Sequence, residues 1–146
     1  MKYFLEFAID DKKFAVPIDE IIEIARPKAI QQQSEKKKNI IGSINLRHDN
    51  IFIIDLASVL KVKGGKRYEI MIADIGGQRI GFCVDRVFGI IEHDKVKPVP
   101  EMIRSHRSLT GMIMTKDTII PVLSLEKAIT KANLSTIKNN ARSKNK

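Results

Sequence analysis

The side chains with reactive or metal-binding chemistry to offer are few: three histidines, one cysteine and scattered carboxylates. His48, His93 and His106 stand in polar loop contexts, and none has the His-x3-His or His-Glu-x-x-His spacing that puts two ligands on one helix face. A hairpin could gather His48-Asp49 with Asp55, although a turn followed by a strand-end carboxylate explains the same residues. Cys83 lies between Phe82 and Val84 in an apolar run with no adjacent base to generate a thiolate. A single thiol also excludes an internal disulfide and a cysteine-based zinc site. Gly64-Gly65 and Gly76-Gly77 look like turn formers, not a glycine-rich stretch opening a helix to cradle phosphate. No serine occupies a Gly-x-Ser-x-Gly elbow. Asp19 and Asp85 recur at equivalent places in a repeat described below, which fits a shared capping task better than an acid/base pair. These residues predict no catalytic, cofactor or metal site, hence no enzyme, and direct attention to contact surfaces.

The elements that must carry such surfaces are strands. With 146 residues the chain suffices for one domain or two small halves sharing a core. Apolar residues make up 43 % and aromatics only 5 %, with Ile and Val together far outnumbering the aromatics and no Trp, a composition that favours strands over a helical bundle. The net charge is +9, but Lys131, Lys138, Arg142, Lys144 and Lys146 fall in an acid-free tail, so the body is only mildly basic. Residues 131–146 are expected to be a disordered basic tail. The start lacks the charged-then-apolar order of a signal peptide, and no apolar run approaches the roughly 18 residues that span a bilayer, so a cytoplasmic protein is expected.

The chain contains a duplication. Tyr3, Leu5, Phe7 and Ile9 alternate along a strand, Asp10-Asp11-Lys12-Lys13 turns it, Phe14-Ala15-Val16 resumes, and Asp19 leads a short helical turn before Ile24. At an offset of 66, Phe14 falls on Ile80, Val16 on Phe82, Ile18 on Val84, Asp19 on Asp85, Ile21 on Val87 and Ile24 on Ile90. At an offset of 69, Gly42-Ser43-Ile44 and Ile51 to Leu56 fall on Gly111-Met112-Ile113 and Ile120 to Leu125. Each copy then ends in a short amphipathic helical turn, Ala57 to Leu60 and Glu126 to Ile129. Agreement of turns, glycines and apolar positions over two segments marks a repeat.

Each copy holds about five short strands, and curling into a small barrel removes the two unpaired edges an open sheet would leave. The predicted fold is therefore all-β: two SH3-like five-stranded barrels related by internal duplication, with short helical turns. A single domain over 1–130 is expected to place the first barrel at about 3–62 and the second at about 68–130, with a groove between them. Gln31 to Lys38, Lys61 to Arg67 and His93 to Ser108, with Pro98 and Pro100, are the polar connections.

Gly42-Ser43-Ile44-Asn45-Leu46-Arg47, followed by Ile51-Phe52-Ile53-Ile54-Asp55-Leu56, resembles the Gly-x-Ile-Asn-Leu-Arg-Gly and strand-Asp-Leu signature of CheW-like domains. Gly81-Phe82-Cys83-Val84-Asp85-Arg86-Val87 and Ala15-Val16-Pro17-Ile18 are similar to two further motifs of that family. The likeness runs from about residue 3 to 130. It implies a non-catalytic chemotaxis adaptor that ties the regulatory domain of the histidine kinase CheA to the cytoplasmic tips of chemoreceptors, is a monomer alone, and works at membrane-associated receptor arrays. It also places Ile21, Glu23 and Arg47, with Val84 and Val87 from the second copy, at or near a receptor-facing groove. Ile21, Val84 and Val87 would bury against an apolar helix face, and Arg47 would pair with a carboxylate or brace the loop beneath it. The plainer alternatives are core packing for Ile21 and Val84, backbone hydrogen bonding for Arg47 and a solvated carboxylate for Glu23. Three features depart from the family pattern: His48 stands where Gly is usual, a proline before the Gly-x-Ile-Asn segment is missing, and the lysine-rich tail is extra.

A basic nucleic-acid-binding β-barrel is the competing reading, because small barrels with basic arms bind nucleic acid. Such surfaces interleave exposed aromatics with Lys or Arg. Phe7, Phe14, Phe52 and Phe82 instead alternate as core residues do.

Overall fold

Apolar runs broken by two-residue polar turns make antiparallel hairpins the local default. The computed structural model describes residues 2–32, 37–65, 68–93, 95–99 and 106–144. Pro100, part of the loop expected after His93, lies outside the described residues, as does Ser34 of the Gln31 to Lys38 loop. The first repeat contains β1 (Lys2–Ile9), β2 (Lys12–Pro17), β3 (Glu23–Ala25), β4 (Ile40–Leu46), β5 (Asp49–Asp55) and α1 (Leu56–Leu60). The second contains β6 (Glu69–Ile75), β7 (Gln78–Val84), β8 (Arg86–His93), β9 (Leu109–Met114), β10 (Ile119–Leu123) and α2 (Leu125–Ala128), and α3 (Lys131–Lys144) follows. The chain is mostly strand, arranged as two five-stranded SH3-like barrels with few short helices.

Strand order is β8-β1-β2-β10-β9 in barrel I and β3-β6-β7-β5-β4 in barrel II. The repeat offsets match β1 with β6, β2 with β7, and β3, β4 and β5 with β8, β9 and β10, so the two orders are the same order written in equivalent strands. Each barrel combines the leading hairpin of one repeat with the last three strands of the other. This corrects the expectation that each copy curls on itself within 3–62 and 68–130. Alternation along a strand specifies which face is buried but is silent on which neighbour pairs with it. Exchange places both leading hairpins between the barrels, where Phe14-Ala15-Val16 and Ile70-Met71-Ile72-Ala73 can bury both faces.

The buried residues sort accordingly. Ile44, Ile51, Ile53, Ile70, Ile72 and Cys83 fill barrel II. Phe4, Ala15, Ile113, Ile120 and Val122 fill barrel I. Ile44, Ile51, Ile53 and Ile70 are the repeat equivalents of Ile113, Ile120, Val122 and Phe4. The alternate residues, among them Leu5, Phe7, Val16, Phe52, Ile54, Met71 and Phe82, form a third and larger cluster shared by the barrels. Fully burying each such side chain stabilises by about 1.5–3 kcal/mol.

Among the described residues one bridge closes each barrel at equivalent places, Gln31 with Ser43 and Lys97 with Met112. The Gln31 N–H donates to the Ser43 carbonyl and the Ser43 N–H to the Gln31 carbonyl, each at 2.8 Å. Closure explains the glycine of the Gly-x-Ile motif, since a Cβ on Gly42 would lie 2.1 Å from the Gln31 carbonyl oxygen.

Three local expectations are revised. Residues Ile18–Glu20 form a 3-10 turn with no side-chain cap, so Asp19 does not cap it. Asp85 caps no helix either; its Oδ2 accepts from the Gly65 N–H at 2.6 Å and from the Asp10 N–H, tying the inter-repeat connection to the β1–β2 turn. The tail expected to be disordered is helical as α3. Ile137 is buried in the shared core, Leu134 packs against it, and the Asn133 side-chain amide donates to the Lys38 carbonyl at 2.7 Å. Docking of these three residues outweighs a composition that by itself would not hold a helix.

Candidate interaction surface

The register of β4 against β5 pairs Leu46 with Asp49 and leaves Arg47 and His48 as a two-residue loop. Such a loop requires positive φ at both residues when its twist matches the strands, and Arg47 and His48 adopt +50° and +72°. The missing glycine at His48 is thus met by accepting left-handed backbone. The turn projects Arg47, whose side chain is 71 % exposed, back toward β3. There its Nη1 donates to Glu23 Oε1 at 3.1 Å. Glu23 opens β3 and is 22 % exposed, so two of the expected residues form one pair, with most of the guanidinium left facing solvent.

A second pair lies on β6, the strand to which β3 is bonded. Arg26 Nε stands 2.6 Å from Glu69 Oε2. Glu69 Oε1 accepts from the Val87 N–H at 2.9 Å. Because Glu69 belongs to barrel II and Val87 to β8 of barrel I, this carboxylate crosses the junction. Sequence reasoning missed both Arg26 and Glu69. The one available signal was a lone acid heading the apolar run Ile70 to Ala73.

The remaining expected residues divide. Ile21 and Val87 are half-buried against the shared core. Val84 is 2 % exposed within that core and has no side-chain surface to offer a partner, which removes it from the candidate set. The reason is its place at the end of β7, where the strand is still buried on both faces. Farther along β8, Ile90 is 63 % exposed, an apolar surface residue that sequence reasoning did not single out.

Groups weighed for chemistry have structural surroundings. Asp55 Oδ1 accepts from the Ala57 N–H at 3.2 Å and caps α1, and burial raises its pKa. It ends the seven-residue strand that Asp49 begins, roughly 20 Å away at strand rise, so His48, Asp49 and Asp55 do not assemble. Burial, then Asp55 and Asp85, push the Cys83 thiol up to about 12, keeping it protonated. His106 Nδ1 lies 2.8 Å from Ser108 Oγ inside a turn, and burial lowers its pKa, with Arg107 and Lys61 adding to the effect. Among the described residues no three His, Cys, Asp or Glu side chains gather as metal ligands.

A family model for the CheW-like domain matches residues 3–133. The chain belongs to the CheW-like family. It is 28 % identical over 134 residues to the chemotaxis protein CheW of Helicobacter pylori, covering 88 % of this chain and 81 % of that one. It is 26 % identical over 129 residues to the chemotaxis protein CheW of Thermotoga maritima, covering 86 % and 85 %. The crystal structure of the scaffolding protein TtCheW from Thermoanaerobacter tengcongensis superposes with a TM-score of 0.79 at 26 % identity, covering 88 % of each chain. These likenesses support a scaffold or adaptor role in chemotaxis. Among the described residues no helix is long and apolar enough to cross a membrane.

Proposed function

We propose that this CheW-like chain couples the histidine kinase CheA to the cytoplasmic tips of chemoreceptors and catalyses no reaction itself. The observation that carries the reading is the exposed Arg47 guanidinium held by Glu23, next to a junction that Glu69 spans to Val87. A receptor helical hairpin fits such a place: its apolar face meets Ile21, Val87 and Ile90, and a carboxylate on it takes the free side of Arg47. The pre-paired guanidinium is already oriented, which lowers the ordering cost of the contact. The barrel ends are left for the related barrels of the kinase regulatory domain, so one small chain bridges two partners. A cytoplasmic location at receptor arrays follows from those partners.

The test is sedimentation of the purified chain with the regulatory domain of CheA and a receptor cytoplasmic fragment. A ternary species that neither pair of components forms alone is expected. Failure of the chain to bind either component would overturn the proposal. Phe7, Phe14, Phe52 and Phe82 are all buried, which leaves the competing nucleic-acid reading Tyr3, Tyr68 and Phe88 as the exposed rings among the described residues, with Lys13 and Arg86 over Phe88. Titration with a single-stranded oligonucleotide at two salt concentrations should give only weak, salt-erased binding.

A further inference from the structure

A second concavity lies at the barrel junction and uses none of Glu23, Arg26, Arg47, Glu69 or Val87. This groove of about 990 Å³ is walled by β1, the 3-10 turn, the end of β6 and the start of α2. Its apolar surface includes Tyr3 and Ile22, 50 % and 45 % exposed, which is unusual for such large side chains in a chain whose other apolar residues are mostly buried. Its polar surface is one-sided. Among the described residues, Asp19, Glu20, Asp74 and Glu126 line it against one cation, Lys2, in a protein whose net charge is +9. Among the described residues none of the four is in an ion pair.

The carboxylates are crowded. Glu20 Oε1 accepts from the Leu125 N–H at 2.9 Å, which fixes the acid at the first turn of α2. Burial raises the Glu20 pKa, and Asp19 and Glu126 raise it further. Negative potential thus accumulates over an apolar floor, and a ligand that neutralises it while covering Tyr3 and Ile22 relieves both costs.

We propose that this groove docks a cationic amphipathic segment of a partner protein, with apolar residues on Tyr3 and Ile22 and Lys or Arg side chains on Asp19, Glu20, Asp74 and Glu126. An α-helix about 10 Å wide that rises 1.5 Å per residue fills the volume with roughly eight residues, about two turns. The groove's lining includes neither Glu23 nor Arg47, although Ile22 lies between Ile21 and Glu23 in the chain, so Arg47→Ala tells the two surfaces apart.

The experiment uses the full chain and a fluorescein-labelled peptide of about twelve residues with leucine and lysine at helical spacing. A matched peptide carries glutamate in place of lysine. Fluorescence anisotropy should rise with the first peptide and stay flat with the second, and amide shifts should map to Tyr3, Ile22, Asp74 and Glu126. Ile22→Asp and, separately, Glu126→Lys should weaken binding roughly tenfold or more, while Arg47→Ala leaves it unchanged. Both substituted residues are exposed, and retained amide dispersion checks that the variants fold. Equal binding of the two peptides, amide shifts confined to other surfaces, or wild-type affinity in folded Ile22→Asp and Glu126→Lys would each overturn the proposal. So would concentration-dependent self-association that broadens the groove amides without peptide, since the occupant would then be a second copy.

Discussion

Replacing Arg47 separates a structural role from a contact role, because its only described partner is Glu23. The pair is 3.1 Å long and its guanidinium is 71 % exposed, so water and salt screen it. An exposed ion pair of this kind contributes about 0.2–1 kcal/mol. Arg47→Ala keeps a residue with a Cβ at φ +50°, so the left-handed cost of the turn is unchanged and the pair alone is removed. Urea unfolding of wild type, Arg47→Ala, Glu23→Ala and the double variant should therefore give a coupling energy below about 1 kcal/mol, equivalent to a loss of about 2–4 °C in Tm. Binding of the receptor cytoplasmic fragment should respond more steeply. If a receptor carboxylate meets Arg47 in a desolvated contact, its truncation costs about 2 kcal/mol or more, a loss of roughly thirtyfold in affinity by titration calorimetry. A stability loss above about 2 kcal/mol together with unchanged affinity would refute the reasoning and make Arg47 a brace for its own turn.

Four further outcomes are expected. Val84→Asp should abolish cooperative unfolding in circular dichroism, because an unpaired buried carboxylate costs several kcal/mol; a folded variant defective only in receptor binding would contradict its core placement. Gly42→Ala should destabilise by about 2–4 kcal/mol in urea titrations, by forcing Cβ against the Gln31 carbonyl and weakening both closing hydrogen bonds. At the equivalent Gly111, alanine meets the Val96 side chain before the Lys97 carbonyl and should cost less. His48→Gly should raise stability by up to about 1 kcal/mol in thermal melts, since glycine adopts φ +72° without the left-handed penalty, partly offset by its unfolded-state entropy. Glu20→Gln tests a pH linkage: the folded pKa is raised above 4.5, so the charged acid is penalised once pH exceeds that value, and the penalty disappears as pH falls back through it. Glutamine can still accept from the Leu125 N–H, so the variant should be the more stable at neutral pH and lose that advantage on acidification, measured by urea midpoints across the range.

Much of this was legible in the residues. Equal offsets between turns and glycines revealed two copies, because a hairpin's turn chemistry and period-two burial are local properties that sequence records directly. The Asn-Leu-Arg motif located Arg47, and the opening turn of the first copy located Glu23. Their hydrogen bond was not visible, since β3 and β4 stand at opposite ends of the strand order and meet only when the barrel closes through Gln31 and Ser43. Val84 misled for a related reason: it ends an apolar run next to Asp85, and only the barrel packed on the far side shows that both faces of that run are buried.

Sequence by itself determined the strand and turn order, the duplication, the glycine that lets a barrel close and the poverty of reactive groups, all matters of short-range sterics and side-chain chemistry. Tertiary structure alone decided that hairpins exchange between the copies, that Glu69 crosses to Val87, that Lys131–Lys144 is helical, and that four carboxylates converge over Tyr3 and Ile22. Each of these depends on residues tens of positions apart, whose meeting is set by which packing buries the most apolar surface in the whole chain, a quantity no local pattern contains.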